Sequence, residues 1–112
     1  MQVVDLQKSK DFQALGVELV SIAPDTVEAW RDDGEQYGIQ DYSAVLSDVK
    51  NDVATRYDVM RWAAATGEPG HTFILVDESG MVMWVKDYGA LENGGIMYVV
   101  PDELVRELRA HL

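Results

Sequence analysis

Cysteine is absent from the 112 residues. That excludes a disulfide scaffold, a zinc–thiolate centre and any cysteine nucleophile within this chain. Histidine occurs only at His71 and His111, with no His-x-x-x-His spacing, so neither a metal nor a cofactor is expected. Basic residues are scarce, nine against 20 acidic ones, for a net charge of −11. A nucleic-acid surface needs a dense basic patch, so no nucleic-acid partner is expected. No uncharged apolar run reaches the ~18 residues of a membrane span, and the longest, such as Thr72 to Val76, are strand-sized. Met1 to Leu6 lacks the basic flank and apolar core of a signal peptide. The expectation is a chain with no membrane partner and, by default, a cytoplasmic setting. No Gly-x-Ser-x-Gly elbow supports a serine hydrolase. Asn93-Gly94-Gly95 lacks the lysine of a phosphate loop and reads as a turn.

Apolar residues make up 47% and charged residues 26%, an ordinary globular balance, and the length suits one domain over residues 1–112. Helix formers from about 3 to 15 end at Gly16, a plausible helix-stopping glycine. Val17 to Ile22 is almost continuously apolar and β-branched, as in a strand covered on both faces. Pro24 ends it, and Asp25 with Glu28 forms a capping box for the next helix. Val27, Trp30, Gly34 and Tyr37 share one face of that helix, which Gly38 stops. Gly34 costs ~1 kcal/mol against alanine in a helix, so a close packing contact is expected there. Tyr42 to Leu46 offers a short strand, and Asp48 or Asn51 starts a short helix. Met60 to His71, with its Ala63-Ala64-Ala65 run, reads as a loop with at most one helical turn. Thr72 to Val76 is a strand, Asp77-Glu78-Ser79-Gly80 a type I turn, and Met81 to Lys86 the antiparallel return. Ile96 to Val100 offers an extra strand. Pro101 opens a last helix whose stripe is Leu104, Val105, Leu108 and Leu112. Alternation of this kind implies an α/β layered fold with a partly parallel sheet.

Four stretches carry a resemblance: Gly16 to Asp25, the Tyr37-Gly38 helix end, Leu46-Ser47-Asp48 through Tyr57-Asp58-Val59, and Thr72 to Gly80. In this order and spacing they resemble the peroxiredoxin or redoxin family, the alkyl hydroperoxide reductase and thiol-specific antioxidant proteins. The resemblance runs from about residue 3 to 88. It implies a thioredoxin-like three-layer α/β sandwich with a mixed sheet, and an antioxidant role in cell redox homeostasis. It also implies peroxide and thiol substrates. Members of the family begin with a central strand and a cysteine-bearing turn at the start of the first helix. Here Met1 to Gly16 is similar to the later part of that helix, and both the strand and the cysteine are missing. The resemblance therefore implies no catalytic residue in this chain. It points to an oxidoreductase family, with this chain as the C-terminal part of a thiol peroxidase or thiol-disulfide oxidoreductase, inactive by itself. The competing reading is a non-catalytic thioredoxin-like module that binds a protein through its sheet edge or its tryptophans.

The family's active-site edge falls on Pro69, Gly70, His71 and Thr72. Relatives carry an arginine or a cis-proline just before the strand. Gly70 stands there, with Pro69 one place earlier. A lone histidine such as His71 is more often structural than chemical, and His111, near a helix end, reads as structural. Asp32 with Asp33, and Asp48 with Asp52, could be paired carboxylates, but solvated helix faces explain them better in so acidic a chain. Trp30, Trp62, Trp84, Met81 and Met83 read as packing residues, or as a patch for a partner. In such sheets the missing strand lies between the one matching Val17 to Ile22 and the one matching Thr72 to Val76. Buried unpaired backbone groups cost ~1–3 kcal/mol each. The two strands are therefore expected to pair directly, or the chain to form a homodimer through the exposed seam.

Overall fold

The computed structural model describes residues 1–39, 41–63 and 67–112. The architecture is mixed α/β: α1 (Gln2–Lys8), α2 (Lys10–Ala14), β1 (Ser21–Ala23), α3 (Val27–Tyr37), β2 (Val45–Ser47), α4 (Asp52–Arg56), β3 (Thr72–Val76), β4 (Val82–Asp87) and α5 (Pro101–Arg109). The expected first helix is broken in two at Ser9. The Ser9 hydroxyl accepts from the Phe12 amide at 3.1 Å, so it caps a new helix rather than continuing the old one. Gly16 then takes a left-handed φ of +71°.

The strand expected over Val17 to Ile22 is laddered only at Ser21–Ala23. Upstream of it burial alternates: Val17 and Leu19 pack against the core, whereas Glu18 and Val20 are exposed. That is the pattern of a segment covered on one face, not two. β1 pairs in parallel with β2, Ile22 opposite Leu46, and β3 pairs antiparallel with β4, Ile74 opposite Val85. Among the described residues these are two separate two-stranded sheets, so the expected direct pairing of the first strand with Thr72–Val76 does not occur.

Local chemistry explains the other departures. Thr26, not Asp25, caps α3, its hydroxyl accepting from the Ala29 amide at 3.1 Å. On the expected apolar face of α3 only Gly34 is buried; Val27 and Tyr37 are about half exposed, because β2 is the strand beneath this helix. The close contact at Gly34 is real: a Cβ there would overlap the Tyr42 hydroxyl and ring. Tyr42–Ala44 forms a 3₁₀ turn, which delays the second strand to Val45–Ser47. The return strand starts one residue late, at Val82, because the Asp77 carboxylate holds the Ser79 and Met81 amides in the turn. Residues 96–100 form no strand. Ala64 and Ala65 of the alanine run, and Thr66 after it, lie outside the described residues.

The core joins Leu6, Phe12, Leu75, Tyr88 and Val99 to Leu104, Val105 and Leu108 of α5. Trp84 packs against it, while Met81 and Met83 are exposed. Leu112 does not extend the α5 stripe and is 61% exposed.

Candidate functional site

The antiparallel ladder sets Thr72, at the start of β3, opposite Asp87, at the end of β4. The Thr72 hydroxyl donates to Asp87 Oδ1 at 2.7 Å. Asp87 is only 1% exposed, and among the described residues its Oδ2 has no hydrogen-bond partner. A buried carboxylate oxygen without a donor is costly and uncommon, and such groups gather at functional sites.

Gly70 makes room for it, and Gly89 lies beside it. A Cβ on Gly70 would lie 2.7 Å from Asp87 Oδ1 and 2.9 Å from the Trp62 carbonyl oxygen. A Cβ on Gly89 would meet the Met97 sulfur at 3.2 Å and Asp87 Oδ2 at 3.6 Å. Gly70 has no positive φ, so close approach rather than backbone freedom is what requires a glycine there. Asn93 donates its side-chain amide to the Asp87 carbonyl at 2.7 Å, fixing the strand end.

His71 adjoins this carboxylate. Its backbone carbonyl accepts from the Tyr88 amide at 2.9 Å, and its ring stacks edge-on against Phe73 with centroids 5.2 Å apart. Its Nε2 lies 3.0 Å from Gln2 Oε1. Gln2 also holds both backbone groups of Val99, accepting from the amide at 2.7 Å and donating to the carbonyl at 2.8 Å. Burial pushes the His71 pKa below the ordinary imidazole value, and the Asp87 charge opposes that shift.

Of the four residues expected at the active-site edge, Gly70, His71 and Thr72 converge on Asp87. Pro69 precedes them through a trans peptide bond and joins none of these contacts. Sequence reasoning missed Asp87, Gln2 and Gly89. A lone aspartate closing an apolar strand and flanked by Tyr88-Gly89 was the one signal available for Asp87; Gln2 gave none. The other candidates fall elsewhere. Asp32 and Asp33 are exposed. Asp48 is not solvated but 7% exposed, its carboxylate accepting from the Val53 and Ala54 amides and so capping α4. His111 donates from Nδ1 to the Glu107 carbonyl at 2.9 Å and lies against Trp84. Among the described residues no three His, Asp or Glu side chains gather as a metal site, and no helix is long and apolar enough to cross a membrane.

A search of known protein families matches residues 1–85 to the AhpC/TSA family. The chain belongs to that family. AhpC/TSA domains are thioredoxin-like, and the small parallel and antiparallel sheets described above are consistent with a partial fold of that kind. Among curated proteins the chain is similar to peroxiredoxin 2 of Thermoplasma acidophilum, 32% identical over 108 residues, which cover 93% of this chain and 51% of that protein. It is also similar to a peroxiredoxin of Thermoplasma volcanium, 29% identical, with 93% of this chain and 50% of that protein covered. The chain thus spans about half the length of the curated relatives it matches. No solved structure matches it significantly.

Proposed function

We propose that this chain is the C-terminal part of a peroxiredoxin-like thiol peroxidase and that it does not turn over peroxide by itself. The observation that carries the reading is the absence of cysteine from a chain of a family whose relatives are named peroxiredoxins. Thiol peroxidase chemistry needs a thiolate to attack the peroxide oxygen and become a sulfenic acid, which a second thiol then reduces. No side chain here replaces that nucleophile. Methionine can take one oxygen, but the sulfoxide needs a separate reductase to return. The two unconnected sheets support the reading, since β1 and β3 each keep an edge on which a further strand would pair. The residues around Asp87 and His71 then form one wall of the site, and the sulfur comes from outside this chain.

A peroxide-consumption assay with a thiol reductant, run on metal-free protein, tests the proposal. The expected result is no turnover above the buffer blank. Sustained turnover would place the chemistry on residues of this chain and sink the proposal.

A further inference from the structure

Gln2, His71 and Val99 form a closed hydrogen-bonding unit whose proton positions follow from geometry alone. A backbone amide only donates and a backbone carbonyl only accepts. Val99 therefore fixes the Gln2 side chain, with Oε1 toward the Val99 amide at 2.7 Å and Nε2 toward the Val99 carbonyl at 2.8 Å. The same Oε1 lies 3.0 Å from His71 Nε2. Two acceptors cannot bond each other, so Nε2 carries the hydrogen. In the neutral ring the remaining nitrogen, Nδ1, then holds a lone pair. Among the described residues no protein group donates to it. Of the other basic or phenolic groups nearby, Lys86 faces Glu107 at 3.6 Å and the Tyr88 ring at 4.7 Å, whereas the buried Tyr88 hydroxyl has no hydrogen-bond partner among the described residues.

We propose that His71 is the proton acceptor of this site, its Nδ1 removing the proton of an attacking thiol, with Gln2 fixing the tautomer and the buried Asp87 carboxylate offsetting the imidazolium charge. The inference rests on the thiol peroxidase reading and names the residue of this chain that serves it. In the step, a thiol supplied from outside the chain gives its S–H proton to Nδ1, and the resulting thiolate attacks the distal oxygen of a hydroperoxide. The sulfur–oxygen bond forms as the oxygen–oxygen bond breaks. The departing alkoxide takes that proton back from Nδ1 and leaves as an alcohol. Sulfur is oxidised by two electrons to the sulfenic acid, the peroxide is reduced by two, and His71 ends neutral. Throughout, Nε2–H remains bonded to Gln2. Gln2 and Asp87 act as positioning residues, because neither touches the reacting atoms.

Long-range proton–nitrogen NMR correlation on the ¹⁵N-labelled 112-residue chain tests this at neutral pH without needing activity. The expected spectrum shows His71 with a protonated Nε2 and a bare Nδ1. Methyl thioglycolate, an acidic neutral thiol, is expected to move the Nδ1 resonance toward its protonated position in a saturable way, whereas methyl glycolate leaves it in place. Gln2→Leu is expected to populate both tautomers. A protonated Nδ1 in the wild-type chain would overturn the proposal, as would equal responses to the thiol and the alcohol. Both readouts come from the unmodified chain, so a poorly folded variant leaves the test intact. Failure of the peroxidase reading appears separately, as turnover in the peroxide assay.

Discussion

Asp48 is where the sequence offers a solvated carboxylate and the structure uses a buried one. Asn51 occupies the capping position of α4 but makes no side-chain cap, and its φ of +58° turns it away from that task. Asp48 supplies the cap from three residues earlier, accepting from the Val53 amide at 3.1 Å and the Ala54 amide at 3.0 Å. Its own amide donates to the Ala23 carbonyl at 2.7 Å, so one residue ties the end of β1 to β2 and α4. Removing a hydrogen bond to a charged group costs ~1.5–3 kcal/mol. The Val53 amide borders solvent and can be rehydrated, but the Ala54 amide is buried and cannot. Asp48→Ala is therefore expected to cost about 3 kcal/mol, one buried bond in full and one in part. Asp48→Asn keeps one acceptor oxygen without the charge and should lose about half as much. Urea unfolding at neutral pH reads both. With a slope of ~1.5–2 kcal/mol per molar, the alanine variant should lower the midpoint by roughly 1.5–2 M. A shift smaller than about 0.3 M with an unchanged slope would refute the reasoning, because it would mean the two amides find water as readily as the carboxylate.

Gly38 ends α3 at φ +83°, so Gly38→Ala should cost ~1–2 kcal/mol by the same urea measurement; an unaffected midpoint would show that the helix end rearranges freely. Tyr88 should titrate late for a tyrosine, because burial first, and then the Glu107 and Glu103 charges, push its pKa up to about 12. The unfolded chain releases this proton near pH 10 while the folded chain holds it to about 12. Tyr88 therefore withdraws stability as pH rises through that window, and Tyr88→Phe should unfold less readily there than wild type relative to neutral pH.

What was legible in the sequence shares one property: the residues act locally. The β3–β4 hairpin follows from an apolar run, an Asp-x-x-Gly turn and a return strand, each satisfied by near neighbours. Pro101 with Asp102 and Glu103 announces α5 in the same way. The four family stretches were also visible, because their order survives in the primary sequence. The errors came where a distant partner decides the outcome. Val17 to Val20 has the composition of an inner strand, yet among the described residues no neighbouring strand ladders with it, and it is covered on one face only. Ile96 to Val100 has strand-like composition too, but its polar groups go to Gln2, 97 residues away in the case of Val99, and to the Tyr88 carbonyl, which takes the Ile96 amide. For the site, Gly70, His71 and Thr72 could be placed because they adjoin a recognisable strand. Asp87 and Gln2 could not, since their meaning depends on a register and a fold that bring β4 and α1 beside them.

The Asp87 cluster breaks the local rules that the rest of the chain obeys. A strand end normally closes on a residue that tolerates solvent, and a buried carboxylate normally has each oxygen satisfied. Here a carboxylate is enclosed, one of its oxygens lacks a donor among the described residues, and Gly70 gives up side-chain packing to let it fit. An apolar residue at position 87 would remove the desolvation cost of the carboxylate and strand only the Thr72 hydroxyl. Packing alone therefore gives no reason for an acid at this position. A neighbouring imidazole that must carry a positive charge for part of a reaction does give one, because an enclosed carboxylate holds that charge more strongly than an exposed one. The same logic accounts for Gln2: an amide locked at both ends by Val99 is a rigid acceptor, and a rigid acceptor is what one tautomer of His71 requires.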